Sequence, residues 1–101
     1  MEVSIYEENK PTHMATTVNE EGEFFNLNYY LQNYTSSAGK VLFGIKVDML
    51  DGQYKIVKSA ETYAISESYV QIKELIMHLA KHTISPYTLN CMVEEWFSAN
   101  T

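Results

Sequence analysis

Arginine is absent from the 101 residues, cysteine occurs once, proline twice and glycine four times. Without arginine the chain lacks the planar donor fork that grips phosphate or guanine in a bidentate way. Its seven basic residues are therefore all lysine, and thirteen acidic residues outnumber them to leave a net charge of −6. Nucleic-acid affinity comes largely from clustered basic side chains that neutralise phosphates and release counterions. Direct nucleic-acid binding is thus excluded as the leading function, and a protein partner with a basic surface is favoured. A single cysteine cannot staple the fold, which agrees with a reducing compartment. With 46% hydrophobic residues and so little proline and glycine, the composition is not that of a disordered or low-complexity chain. No apolar run approaches the length needed to cross a bilayer. The opening MEVSIYEENK carries acids where a signal peptide carries positive charge, so the expected location is cytoplasmic, without membrane contact. A glycine-rich phosphate loop, GxSxG, CxxC and HExxH are all missing, so no enzyme class and no cofactor is indicated.

What is present is periodic. Phe25, Leu27, Tyr29 and Leu31 alternate with Asn26, Asn28, Tyr30 and Gln32, the period-two pattern of a half-buried strand. After the polar TSSAGK loop, Val41, Phe43, Ile45, Val47 and Met49 repeat it. Asp51-Gly52 matches a two-residue type I′ turn, which needs positive φ at both central positions. That turn sets Met49 opposite Tyr54, Val47 opposite Ile56, Ile45 opposite Lys58, Phe43 opposite Ala60, and Asp48 opposite Lys55. Val3 with Ile5, and Met14 to Val18, add one or two further strands. The expected strands cover about 2–8, 24–34, 41–50 and 53–62.

The last third changes period. Ser66 reads as a helix N-cap with Ile65 and Val70 as its hydrophobic staple. Ile72, Leu75, Ile76 and Leu79, with Val70 or Tyr69, form the apolar stripe. Ser85 then caps a second helix with Pro86 at its first position, Ile84 and Leu89 as staple, and Leu89, Met92, Val93 and Trp96 as the buried face. The helices are expected at about 67–82 and 86–99. The fold class is α+β: one domain over 1–101, an antiparallel β-meander of three to five strands covered on one face by two C-terminal helices.

Four stretches carry a family resemblance: Phe43-Gly44-Ile45, Ile65-Ser66, Ser85-Pro86 followed by Leu89, and Val93-Glu94-Glu95-Trp96-Phe97. Over Phe43 to Phe97 the chain resembles a family of small Firmicute proteins known only as a domain of unknown function. The resemblance implies the fold and names no activity. That family tends to carry His where Thr88 stands and an acid where Cys91 stands, which argues against a shared catalytic group on the second helix.

The candidate chemistry is limited. His78 and His82 lie one helical turn apart, a spacing that chelates zinc if Cys91 supplies a third ligand. The plain alternative is two exposed imidazoles near a helix C-terminus, where positive charge is favourable. Cys91 as a nucleophile requires an activating base and an oxyanion site that nothing nearby specifies. Glu94 and Glu95 point about 100 degrees apart on a helix and read as a solvated face. Acidic clusters at Glu7-Glu8, at Glu20, Glu21 and Glu23, and at Glu94-Glu95 accompany eight tyrosines, of which Tyr30, Tyr34, Tyr63 and Tyr87 fall outside the core stripes. Tyrosine contributes contact area with a polar tip, so these residues are candidates for partner binding. The leading expectation is a small acidic, non-enzymatic module engaging a basic surface of a nucleic-acid-processing protein. In size, acidity and lack of motifs the chain is similar in type to the small mobile-element inhibitors of RNA-guided nucleases. The alternatives are a metal- or thiol-dependent enzyme using His78, His82 and Cys91, and a homodimeric structural subunit.

Overall fold

A computed structural model describes residues 3–7, for which the backbone alone is described, and residues 10–99. In chain order the elements are β1 (Val3–Glu7), β2 (His13–Val18), β3 (Phe24–Ser36), β4 (Val41–Leu50), β5 (Ile56–Glu61), α1 (Tyr69–Lys81) and α2 (Leu89–Ala99). The five strands form one antiparallel sheet in the order β1-β3-β4-β5, with β2 also pairing with β3. The long β3 carries both N-terminal strands along one edge, β2 against Phe24–Tyr29 and β1 against Gln32–Ser36. The helices cover one face only, giving the α+β arrangement expected from the alternating and helical patterns. The expected first strand and the Glu7-Glu8 cluster extend onto residues outside those described.

The core follows from strand parity. Leu27, Tyr29 and Leu31 of β3 and Ile45, Val47 and Met49 of β4 point to the helical layer and are buried there. They meet Ile72, Leu75, Ile76 and Leu79 of α1 and Leu89 and Val93 of α2, with Met92, Trp96 and Phe97 half-buried beside them. Full burial of each such side chain contributes about 1.5–3 kcal/mol. The Tyr29 hydroxyl donates to the Ile84 carbonyl at 2.8 Å, tying the sheet centre to the turn between the helices, and burial pushes its pKa up.

Three local expectations are corrected. Asp51-Gly52 does not make a two-residue turn. The loop runs Asp51–Lys55, closed by Asp51 N–H to the Lys55 carbonyl at 2.9 Å, and its positive φ falls on Tyr54. The Asp51 carboxylate accepts the Gln53 and Lys55 amides at 2.8 and 3.0 Å, so the side chain builds the wider loop. Register therefore slides: Met49 faces Lys58, Val47 faces Ala60 and Asp48 faces Ser59, with an irregularity at Met49/Leu50. Phe43 bridges Ser66 instead of Ala60, and Ile45 bonds Thr62.

Second, Ser68 caps α1, accepting the Gln71 amide at 3.1 Å. Ser66 cannot, because its N–H and C=O are both paired with Phe43 and hold it extended. Val70 is 64% exposed, so no staple forms with Ile65. Third, α2 begins at Leu89, because Ser85–Thr88 closes a separate turn in which Pro86 is buried.

The turn after α1 is a Schellman motif with threonine where glycine is usual. Thr83 N–H donates to Ala80 and Ile84 N–H to Leu79 at 3.1 and 3.0 Å, with Thr83 at φ 49.

Candidate functional site

The even-numbered residues of β2, β3 and β4 form the sheet face that the helices leave uncovered. Val18 and Phe24 are direct cross-strand partners there, Phe24 is 66% exposed, and Met14 is exposed on the same strand as Val18. Met14, Thr16, Asn26, Asn28, Leu50 and Tyr54 line a depression of about 320 Å³, with Tyr54 itself 74% exposed. The wider β4–β5 loop, with Tyr54 at φ 62, places Tyr54 beside Leu50 at this depression.

Next to Val18 and Phe24 stands the β2–β3 turn, which carries the exposed Glu20, Glu21 and Glu23, the last accepting the Asn19 side-chain amide at 3.1 Å. Asn19 shapes it: its side-chain oxygen accepts the Glu21 and Glu23 amides, both at 2.9 Å, and Gly22 takes φ 83. Short side-chain acceptors at the first turn position and glycine at the left-handed one are what such a turn requires. The result is three carboxylates beside an apolar pair.

The middle of the uncovered face is polar and internally balanced. Lys46 lies opposite Tyr30, with its Nζ 5.7 Å from the ring centroid and 3.9 Å from Asp48 Oδ2. The Ser59 hydroxyl donates to Asp48 Oδ1 at 2.5 Å. Lys46 and Ser59 thus both face the Asp48 carboxylate.

The remaining expected site residues do not converge. Tyr34 is only 3% exposed, and its hydroxyl donates to Gln32 Oε1 at 2.7 Å, so it is removed from the binding set. Burial on this otherwise open face arises because the chain after β5 crosses it: the Tyr63 backbone lies directly over Gly44, next to the Tyr34 ring. Tyr63 is exposed with φ 61. Tyr87 is exposed on the helical side, under Lys58 Nζ at 5.5 Å from its ring centroid. Glu94 and Glu95 are exposed on α2, away from the acidic turn.

The His78 and His82 rings do lie side by side, with centroids 4.5 Å apart and planes tilted by 56°. Cys91 is exposed on α2 and does not join them, and among the described residues no group of three or more His, Cys, Asp or Glu side chains is placed to hold a metal ion. His78 sits instead between two shallow depressions, one with His13, Met14, Met77, Ala80 and Lys81 and one with Met92, Glu95, Trp96 and Ala99. Met14, Phe24, Leu50 and Tyr54 were not singled out from the sequence, although parity along β2, β3 and β4 assigns the first three to the uncovered face.

Among the described residues no helix is long and apolar enough to cross a membrane. No curated protein and no solved structure matches the chain. Residues 8–99 match a family of unknown function, DUF6514, so the similarity extends beyond the Phe43–Phe97 segment to β2 and β3 as well, and the chain belongs to that family.

Proposed function

We propose that the protein is a non-enzymatic binding module whose uncovered sheet face and β2–β3 turn engage a basic surface of another protein. One observation carries the reading: the exposed carboxylates of Glu20, Glu21 and Glu23 abut the apolar Val18–Phe24 pair and the depression under Met14, Leu50 and Tyr54. Apolar contact contributes affinity, and the carboxylates contribute steering toward lysine and arginine. The partner is accordingly a protein with clustered basic charge around an apolar side chain. A nuclease that holds a guide–target duplex in a positively charged channel is one protein of that description.

The test is affinity capture from bacterial lysate with three baits: wild type, Phe24→Ser, and a triple Glu20, Glu21, Glu23→Gln variant. A stoichiometric partner should bind wild type, be lost with Phe24→Ser, and be released from wild type by salt. With the triple variant the salt dependence should flatten. Capture that is equal with all three baits would sink the proposal.

A further inference from the structure

His78 and His82 stand on a helical turn whose backbone is closed. The His82 amide donates to the His78 carbonyl at 3.2 Å, and the Thr83 and Ile84 amides then close the helix end onto Ala80 and Leu79 at 3.1 and 3.0 Å. The two rings are held 4.5 Å apart, centroid to centroid. That distance has a chemical meaning. With metal–nitrogen bonds of about 2.0–2.1 Å and a ring centre roughly 1.2 Å behind each nitrogen, two imidazoles on one ion keep their centroids about 4.5 Å apart at a right angle and about 5.2 Å apart at a tetrahedral one. His82 is exposed and His78 half-buried, so rotation about χ2 is open to both rings.

We propose that His78 and His82 chelate a divalent transition-metal ion of the zinc type, in an open site where the protein supplies two imidazoles and water the remaining positions. Imidazole is the side chain that suits zinc and nickel alike. The surrounding field is negative. The carbonyl end of α1 carries the equivalent of about half a negative charge. Glu74, exposed one turn before His78, extends the series Glu74, His78, His82 along one side of the helix at intervals of four. Glu95 of α2 borders a depression that His78 also lines, with Met92 and Trp96. Neither carboxylate completes a group of three ligands as the side chains stand, so their contribution is charge. Lys81 opposes them, but it borders the other depression beside His78, with His13 and Met77. Two separate cations one turn apart repel, whereas one dication held between two neutral imidazoles does not. The chelate uses none of the residues of the partner surface proposed above, so either proposal can fail alone.

Calorimetric titration of the untagged chain with zinc chloride measures the affinity, and magnetic resonance with nickel chloride, which broadens signals near the bound ion, locates it. One equivalent should bind, with broadening centred on the His78 and His82 rings. His78→Asn and His82→Asn should each weaken zinc by at least about tenfold, the low end of what losing even an outer-shell partner costs a metal site. His13→Asn and Cys91→Ser should leave the affinity unchanged. Glu74→His combined with His82→Asn rebuilds the pair one turn earlier and should restore binding, which separates chelation from damage to the fold. Zinc should also raise the melting temperature of wild type and of that double variant, and not of His82→Asn alone. Single-histidine variants that bind zinc as tightly as wild type overturn the chelate. So does broadening centred on His13 or Cys91, or the failure of both ions to reach saturation at millimolar concentration.

Discussion

Gly44→Ala tests how tightly the end of β5 is folded over the sheet. An ideal Cβ at Gly44 falls 1.7 Å from the Tyr63 carbonyl oxygen, 2.6 Å from its carbon and 3.1 Å from Tyr34 Cε2. Relief requires the Tyr63 backbone to lift by on the order of 1 Å, well beyond what a packed interior absorbs. That backbone is clamped on both sides. Thr62 N–H donates to Ile45 at 2.8 Å, Ile45 N–H to Thr62 Oγ1 at 2.9 Å, and Ile65 N–H to Phe43 at 2.8 Å. Losing two of these at about 1 kcal/mol each, with overpacking of about 1–3 kcal/mol, outweighs the roughly 0.5–1 kcal/mol that alanine gains over glycine in a strand. The net expectation is a loss of about 2–4 kcal/mol, a large part of the roughly 5–15 kcal/mol available to a domain of this size. Urea unfolding followed by the fluorescence of Trp96 measures it, as a midpoint lowered by about 1–2 M at unchanged slope. Gly52→Ala is the control, since a Cβ there meets open space and its φ is not positive, and it should lose nothing. Tyr63→Gly, which frees the φ 61 backbone, should recover part of the Gly44→Ala loss. A Gly44→Ala midpoint equal to wild type refutes the close approach.

Thr83→Gly should raise stability by about 0.5–1 kcal/mol, because a β-branched residue held at φ 49 carries left-handed strain that glycine lacks, partly offset by glycine's greater freedom when unfolded. A thermal midpoint that falls would contradict the Schellman assignment. Tyr34→Phe removes the hydroxyl bonded to buried Gln32 and should destabilise by about 1–2 kcal/mol, read from the same urea transition. Amides of Lys55 and Gln53 hold the Asp51 carboxyl below its ordinary 3.8. A depressed folded value stabilises above the unfolded pKa and is lost as pH falls through the folded one. Asp51→Ala should therefore melt lower than wild type at neutral pH, with the gap narrowing below pH 3.8; a gap independent of pH would show that the carboxylate is not the loop's organiser.

What was legible in the sequence, and what was not, divides by how many partners a group can choose between. Alternation from Phe25 to Leu31 and from Val41 to Met49 leaves the backbone one sensible face to bury, and both strands lie where that pattern puts them. The stripe of Ile72, Leu75, Ile76 and Leu79 is equally unambiguous. Asp51, Ser66 and Tyr34 each had a local option and a competing one. Asp51 could have entered a two-residue turn, yet its carboxylate captures two amides and lengthens the loop, sliding β5 by four residues along β4. Ser66 could cap a helix, yet pairing with Phe43, distant in sequence, takes its backbone first. Tyr34 sits on the polar parity of β3, yet the crossing backbone of Tyr63 roofs it. The acidity of the candidate surface was visible from composition, whereas its location required knowing which sheet face the helices leave bare. The same division explains the histidines. A spacing of four brings His78 and His82 together locally, but a third ligand is a tertiary matter, and α2 turns Cys91 to solvent instead of toward them. Local spacing can propose a ligand pair, and only the packing of a second element can complete it.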